Sequence, residues 1–230
     1  MRKIGCLTVA FLVFALAGPA AAAEATFLTS GHPDLTKLLP APPAPASAEQ
    51  AGDLAGVLAV QKTRTKAQTD RALADDMAGA LGFADVLGPN FNAERLPKVG
   101  ALIEKFRGDG IVITNAGKGT WNRTRPYDFS TAVEPVGEKP SGSSYPSTAS
   151  ALGYLTAIIL ANMVPEKSAA LYARGREFGD DRIILGVHFP TDVEAGRLAA
   201  MAVAAALLEN AAFMTEFGPA KAELRQALGL

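Results

Sequence analysis

Three stretches of this chain carry residue types suited to holding a phosphate group and attacking it. Lys118-Gly-Thr-Trp-Asn-Arg123-Thr-Arg125-Pro126 places three cations within eight residues. Asp181-Arg182-Ile-Ile-Leu-Gly-Val-His188-Phe-Pro-Thr-Asp192 adds an arginine, an imidazole and a carboxylate that can orient it. Between them lies Ser144-Tyr-Pro-Ser147-Thr148-Ala149. A phosphate ester needs charge neutralised at its oxygens and a nucleophile in line with the leaving group. Arginine supplies a flat fork of donors and lysine a point charge, so Lys118, Arg125 and Arg182 can form a clamp. Ser147 and the free N–H groups opening the helix after it, Thr148 included, can add donors. His188 is then the candidate nucleophile. Asp192 can hold its other ring nitrogen and stabilise the imidazolium.

These residues need helices to position them. After an extended arm, Glu24 to Ser47, whose Leu39-Pro-Ala-Pro-Pro-Ala-Pro-Ala run cannot sustain a helix, Ser47-Ala-Glu-Gln50 reads as a capping box. Helical composition follows through Gln61 and again from Ala67 to Leu81, and Gly88-Pro89-Asn90 marks a loop. A further helix is expected from Leu96 to Lys105, continuing towards Ala116 despite Gly108 and Gly110. Pro135, Gly137, Pro140 and Gly142 make 128–144 a loop. Ser147 should open the next helix, ended by Pro165, and another follows it through Ile184. Thr191-Asp-Val-Glu194 reads as a capping box opening a helix over 192–208, with a last helix over 211–228. Sustained apolar alternation between hairpin signals is lacking, so strands should be scarce. The expected fold is all-α, one compact helical domain over 48–230.

Composition narrows the classes. Arg2 and Lys3 precede an apolar run to Ala17, and Ala21-Ala22-Ala23 fits a cleavage site, so residues 1–23 are expected to be a signal peptide. Its apolar run is too short to span a bilayer. Cys6, the single cysteine, lies within it, so the mature chain should carry no thiol or disulfide, as suits an oxidising periplasm. Losing Arg2 and Lys3 takes the formal net charge from −1 to −3. A mildly acidic chain lacks the basic face of a nucleic-acid binder. The apolar series 198–208 covers half a span and fits a buried core helix rather than stable membrane insertion.

The three motifs, in order and with this spacing, resemble the class A bacterial acid phosphatases of the phosphatidic acid phosphatase and vanadium haloperoxidase superfamily. The likeness runs from the proline-rich arm, through Leu81-Gly-Phe and Gly88-Pro89, to the final helix. It implies a helical domain with no metal or other cofactor, a small-molecule phosphomonoester substrate, and a phosphohistidine intermediate on His188. It also implies phosphate binding by Lys118, Arg125, Ser147 and Arg182, with Asp192 orienting the imidazole. Two positions depart from the family pattern. Where that pattern has Pro-Ser-Gly-His, this chain has Thr148 in place of the glycine and Ala149 in place of the histidine that protonates the leaving alcohol and then activates water. General acid–base catalysis is worth about 10²–10⁴-fold, so the expected enzyme is an impaired acid phosphatase. Asp181 stands where a serine commonly precedes the arginine. Helical neighbours point about 100° apart, so Asp181 is expected to face away while Arg182 faces in.

Alternatives stand beside this reading. A non-catalytic phosphate- or phosphoester-binding protein could use the same clamp, and vanadate peroxidase chemistry is remoter because it relies on the same missing group. Asp181 or an ordered water remains open as a replacement proton carrier; His32, in Gly31-His32-Pro33, does not suit the role. One histidine and a nearby aspartate are too few for a metal site. Arg123 is expected to support the site through a nearby acid such as Asp128. Trp121, Tyr127 and Tyr145 are equally suited to pocket walls and to core packing. The oligomeric state stays open, a homo-oligomer included.

Overall fold

The structure, a computed structural model, describes residues 25–92 and 94–230. The expected signal peptide, with Cys6, lies outside the described residues. Ten α-helices follow in order: α1 (Leu35–Leu38), α2 (Ala48–Thr63), α3 (Lys66–Ala78), α4 (Ala84–Leu87), α5 (Pro97–Trp121), α6 (Pro126–Phe129), α7 (Thr148–Met163), α8 (Ser168–Ile184), α9 (Pro190–Leu208) and α10 (Ala211–Leu228). The described residues contain no strand, so the fold is all-α as expected.

Helix α7 is the centre. Its sequence is apolar on nearly every face, and such a helix is stable only when enclosed. Leu152, Leu155, Ile159, Leu160 and Met163 are all buried, and α5, α8 and α9 surround the helix. Close approach is built in. A Cβ on Gly153 would stand 2.5 Å from that of Phe178, and one on Gly175 would stand 2.5 Å from that of Ala157. The α7–α8 crossing therefore depends on these two glycines, and it fixes Ala149 relative to Arg182.

Several local expectations change. The arm is not simply extended: it includes α1, capped by Asp34, and buries Leu35 and Leu39 against the domain. Helix α5 runs without a break to Trp121, well beyond Ala116. Gly110 does not stop it, because it faces α7, where a Cβ would lie 2.9 Å from Leu152. This longer helix carries Lys118 on its last turn.

Capping differs too. Ser47 caps α2, but the Gln50 side chain turns away to Arg123, so only half of the expected box forms. The reciprocal box sits instead at Thr65 and Gln68, opening α3. Helix α9 begins at Pro190 rather than Asp192. The Phe189 N–H donates to Asp192 Oδ2 at 2.8 Å, and Thr191 turns to Asp53 and Arg123. A side chain with a stronger partner elsewhere leaves its cap. No single described helix is long and apolar enough to cross a membrane, and α9 buries Ala199, Val203 and Leu207 in the core.

Candidate active site

The end of α5, the start of α7, the end of α8 and the first turn of α9 meet around His188. The ring is buried, 3 % exposed, and both nitrogens are engaged. Arg125 Nη1 lies 3.2 Å from Nε2. A guanidinium can only donate, so Nε2 holds the lone pair and the ring proton sits on Nδ1. Nδ1 faces Asp192 Oδ2 and Ser144 Oγ, each at 3.4 Å. This is the tautomer that a nucleophilic Nε2 requires. Burial pushes the His188 imidazole down to about 4; Asp192 opposes the shift, while Arg125 and Lys118 add to it. The ring is therefore neutral in mildly acidic solution.

Asp192 is fully buried and satisfied on every side. It accepts from Arg123 Nη1 at 2.6 Å, from Ser144 Oγ at 2.5 Å and from the Phe189 N–H at 2.8 Å. Burial alone would raise its carboxyl, but His188, Arg123 and Ser144 outweigh burial and hold it below the ordinary value. Arg123 is the hub. It reaches Asp53 and Gln50 of α2, each at 2.6 Å, and Thr191 at 2.7 Å, and its guanidinium stacks on the Phe189 ring with 4.4 Å to the centroid. Its supporting role matches expectation, but the acids are Asp192 and Asp53, not Asp128.

Lys118 and Arg125 line up behind the entry to α7. Lys118 Nζ donates to the carbonyls of Ser143 at 2.9 Å and Pro146 at 2.7 Å. Burial, with Arg125 nearby, lowers the ammonium to about 8, so it remains charged in acid. Arg125 also donates to the carbonyls of Gly142 and Val187. Ser147 caps α7, its Oγ accepting from the Ser150 N–H. Its own N–H donates to the Asp192 carbonyl at 2.9 Å, which ties the middle motif to the last one. The N–H groups of Thr148 and Ala149 open α7 and have no carbonyl within the helix to bond. Thr148 Oγ1 and Arg182 Nε are buried and have no hydrogen-bond partner among the described residues. These are orphan donors of the kind an anion satisfies.

The structure thus gathers Lys118, Arg125, Ser147, His188 and Asp192 through direct contacts. Arg182 is turned aside: its Nη1 pairs with Asp76 of α3. Asp76 and Arg182 line a cleft of about 230 Å³ together with Ala149, Asp181 and Arg107. Asp181 is a correction. It does not face away to solvent but is buried, 1 % exposed, on the wall of this cleft. Helix α3 explains this: it covers α8, and its Arg71 donates to Asp181 Oδ1 at 2.6 Å. Asp181 Oδ2 has no partner among the described residues. A larger, mainly apolar cavity of about 440 Å³ adjoins this cleft and shares Gly79 and Arg107 with it.

The aromatic residues divide clearly. Trp121 packs edge-on against buried Tyr145, whose hydroxyl donates to the Pro40 carbonyl, and the Tyr127 hydroxyl donates to that of Pro140. All three hold the framework. His32 sits exposed in a turn. Sequence reasoning missed Ser144, Asp53, Gln50, Asp76 and Arg71. Only Ser144, inside a quoted motif, carried any local signal.

Comparison with known proteins bears on the family and the fold. The profile of the PAP2 superfamily matches residues 108–213. A non-specific acid phosphatase of Providencia stuartii is 30% identical over 199 residues, covering 83% of this chain and 80% of that protein. An acid phosphatase of Zymomonas mobilis is 33% identical over 150 residues, covering 63% of this chain and 56% of its own length. A non-specific acid phosphatase of Salmonella typhimurium is 32% identical, with 62% and 59% covered. The match thus spans little more than half of the latter two proteins. Among solved structures, a transmembrane PAP2-type phosphatidylglycerolphosphate phosphatase from Bacillus subtilis shares the fold, with a TM-score of 0.50 and 22% identity over 69% of this chain and 84% of that one. By its helical framework and its sequence relatives, this chain belongs to the family of bacterial non-specific acid phosphatases and carries a PAP2 superfamily domain over residues 108–213.

Proposed function

We propose that this protein is a periplasmic acid phosphatase that hydrolyses small phosphate monoesters through a phosphohistidine on His188. The observation that carries the reading is the buried His188, neutral, with its lone pair on Nε2 beside Arg125 and its N–H towards Asp192. On binding, the phosphate oxygens take the donors of Arg125, Lys118, Arg182, Thr148 and the first N–H groups of α7. Nε2 then attacks phosphorus, and Asp192, backed by Arg123, stabilises the imidazolium as the P–N bond forms. Water completes hydrolysis. The periplasmic assignment rests on the leader-like residues 1–23 and the absence of cysteine from the rest of the chain.

A methyl group at Ala149 transfers no proton. Without a proton donor from elsewhere in the site, alkyl phosphates, whose leaving groups need protonation, should turn over slowly relative to aryl phosphates. The test is a burst assay with an aryl phosphate at mildly acidic pH. A phosphoenzyme that forms in the unaltered chain and vanishes in His188→Ala, with turnover lost by about 10⁴-fold or more, supports the reading. Saturable binding of phosphate or vanadate without any phosphoenzyme would instead make this a phosphoester-binding protein, and equal rates on both substrate classes would mean that another group supplies the proton.

A further inference from the structure

Ala149 removes the expected proton donor, yet the cleft it faces is not short of acids. Its walls carry Asp75, Asp76 and Asp181. Asp75 is bound by both terminal nitrogens of Arg174 at 2.7 and 2.5 Å, and its carboxylate is a hydrogen-bond acceptor for Asp181 when that residue is protonated. Asp76 is half-exposed and paired with Arg182, the guanidinium that must meet phosphate. Asp181 differs from both. Its side chain is 2 % exposed, one oxygen takes Arg71, and the other, Oδ2, is buried without a partner among the described residues. It immediately precedes Arg182 on α8 and shares the cleft with Ala149.

We propose that Asp181 is a catalytic residue of this site, the general acid and base that replaces an imidazole at position 149. This rests on the phosphohistidine reading above. In the first step, His188 Nε2 forms the P–N bond while the bond from phosphorus to the leaving oxygen breaks. The carboxyl proton of Asp181 passes to that oxygen, and alcohol departs, leaving a carboxylate. In the second step, the carboxylate takes a proton from water as the water oxygen attacks phosphorus. The P–N bond breaks, phosphate leaves and His188 returns to its neutral form. Each proton lent is recovered, so no co-reactant is needed.

A general acid must hold a proton at the working pH. Burial, with the Asp75 carboxyl beside it, pushes Asp181 up to about 7, against the opposing pull of Arg71. The charged groups facing it are Arg71 and Asp75 of α3 and Arg182 of its own helix, with Asp76 and Arg107 of α5 further round the cleft. Asp181 is therefore protonated in mild acid, the condition in which His188 is neutral. A raised acid beside a lowered base is the arrangement by which one site assigns the two roles.

The test compares 2,4-dinitrophenyl phosphate with propyl phosphate in the unaltered chain, Asp181→Asn, Asp181→Glu, Asp76→Asn and Ala149→His combined with Asp181→Asn. Asp181→Asn should still form phosphoenzyme from the aryl ester, which should accumulate because water is no longer activated. It should lose propyl phosphate turnover by about 10²–10⁴-fold, together with the fall in rate near pH 7. Asp181→Glu should restore part of that turnover, and Ala149→His should restore it to Asp181→Asn. An unchanged alkyl-to-aryl ratio of kcat/KM and an unchanged pH profile in Asp181→Asn would overturn the proposal. So would an equal loss on both esters that Ala149→His leaves uncorrected, or loss of alkyl selectivity in Asp76→Asn alone. If the unaltered chain forms no His188-dependent phosphoenzyme from the aryl ester, the underlying phosphatase reading fails first, and that failure is seen before any Asp181 variant is made.

Discussion

The two sides of the active site are built on opposite plans. On the proposed phosphate side, His188, Asp192, Arg123 and Ser144 are tied together by short charge-assisted hydrogen bonds to α2 and α9, and only Arg123 Nε and Gln50 Nε2 are left without a partner among the described residues. On the leaving-group side, Ala149, Asp181 and Arg182 share an open cleft, with buried atoms left unpaired and Arg182 held by a half-exposed aspartate. Burial works on both sides, but in opposite senses. It keeps His188 in its basic form and Asp181 in its acidic form, each the form its proposed role requires. A nucleophilic imidazole, the role proposed for His188, tolerates no rearrangement, because a misplaced ring cannot attack in line. The proton carrier is exchangeable, because any acid that reaches the leaving oxygen with a suitable pKa will serve.

The sharpest way to test this asymmetry is to remove the hub of the locked side. Arg123→Ala leaves Asp192 and Asp53 buried without their counter-charge, and breaking a buried pair in this way costs about 3–5 kcal/mol. Urea unfolding should show that loss, whereas Arg71→Ala on the open side, where the arginine is half-exposed and its partner Asp181 can take up a proton, should cost far less. Equal losses would erase the contrast.

Stability against pH separates the two sides next. His188 is lowered from 6.5 to about 4, so its contribution is present above 6.5 and is lost as pH falls through 4. Asp181 is raised from 3.8 to about 7, so its contribution is present below 3.8 and is lost as pH rises through 7. Between pH 4 and 6.5 the two slopes oppose one another. In Asp181→Asn only the histidine slope of this pair remains, and stability should fall more steeply with acid, by up to about 1.4 kcal/mol per pH unit. Thermal melts across pH 4–7 in the two proteins would show this, and parallel curves would contradict it.

The smallest effect concerns affinity. Asp76→Asn frees Arg182 from its carboxylate. A half-exposed pair is worth about 0–1 kcal/mol, so vanadate should bind roughly 2–5-fold more tightly by calorimetry. Weaker binding would mean that Asp76 helps to hold the anion.

The same asymmetry governs how much could be read from sequence. Lys118, Arg125, Ser147, His188 and Asp192 were legible because their types follow short, fixed spacings, and the helices carrying them have clear caps. The all-helical fold was legible from the apolar runs of α7 and α9. Asp76 and Arg71 were not, because they lie more than a hundred residues before the groups they meet and sit on a polar helix that looks solvated. Asp181 was misplaced for the same reason: nothing near it in the chain announces that α3 will cover it. Thr191 read as a cap because nothing local reveals that Asp53 and Arg123 compete for its hydroxyl.

The Arg123 hub has one more consequence, for the order in which the molecule comes together. It joins Gln50 and Asp53 to Thr191 and Asp192, and Thr191 meets Asp53 across 138 positions of sequence. Contacts of such range close late, since the intervening loop must first lose its freedom. No early fragment of the chain contains both the guanidinium and the carboxylate that steady the imidazole. A chain still being made thus carries the side chains of its first two motifs without the partners that fix them; the arrangement around His188 closes only with the last helices.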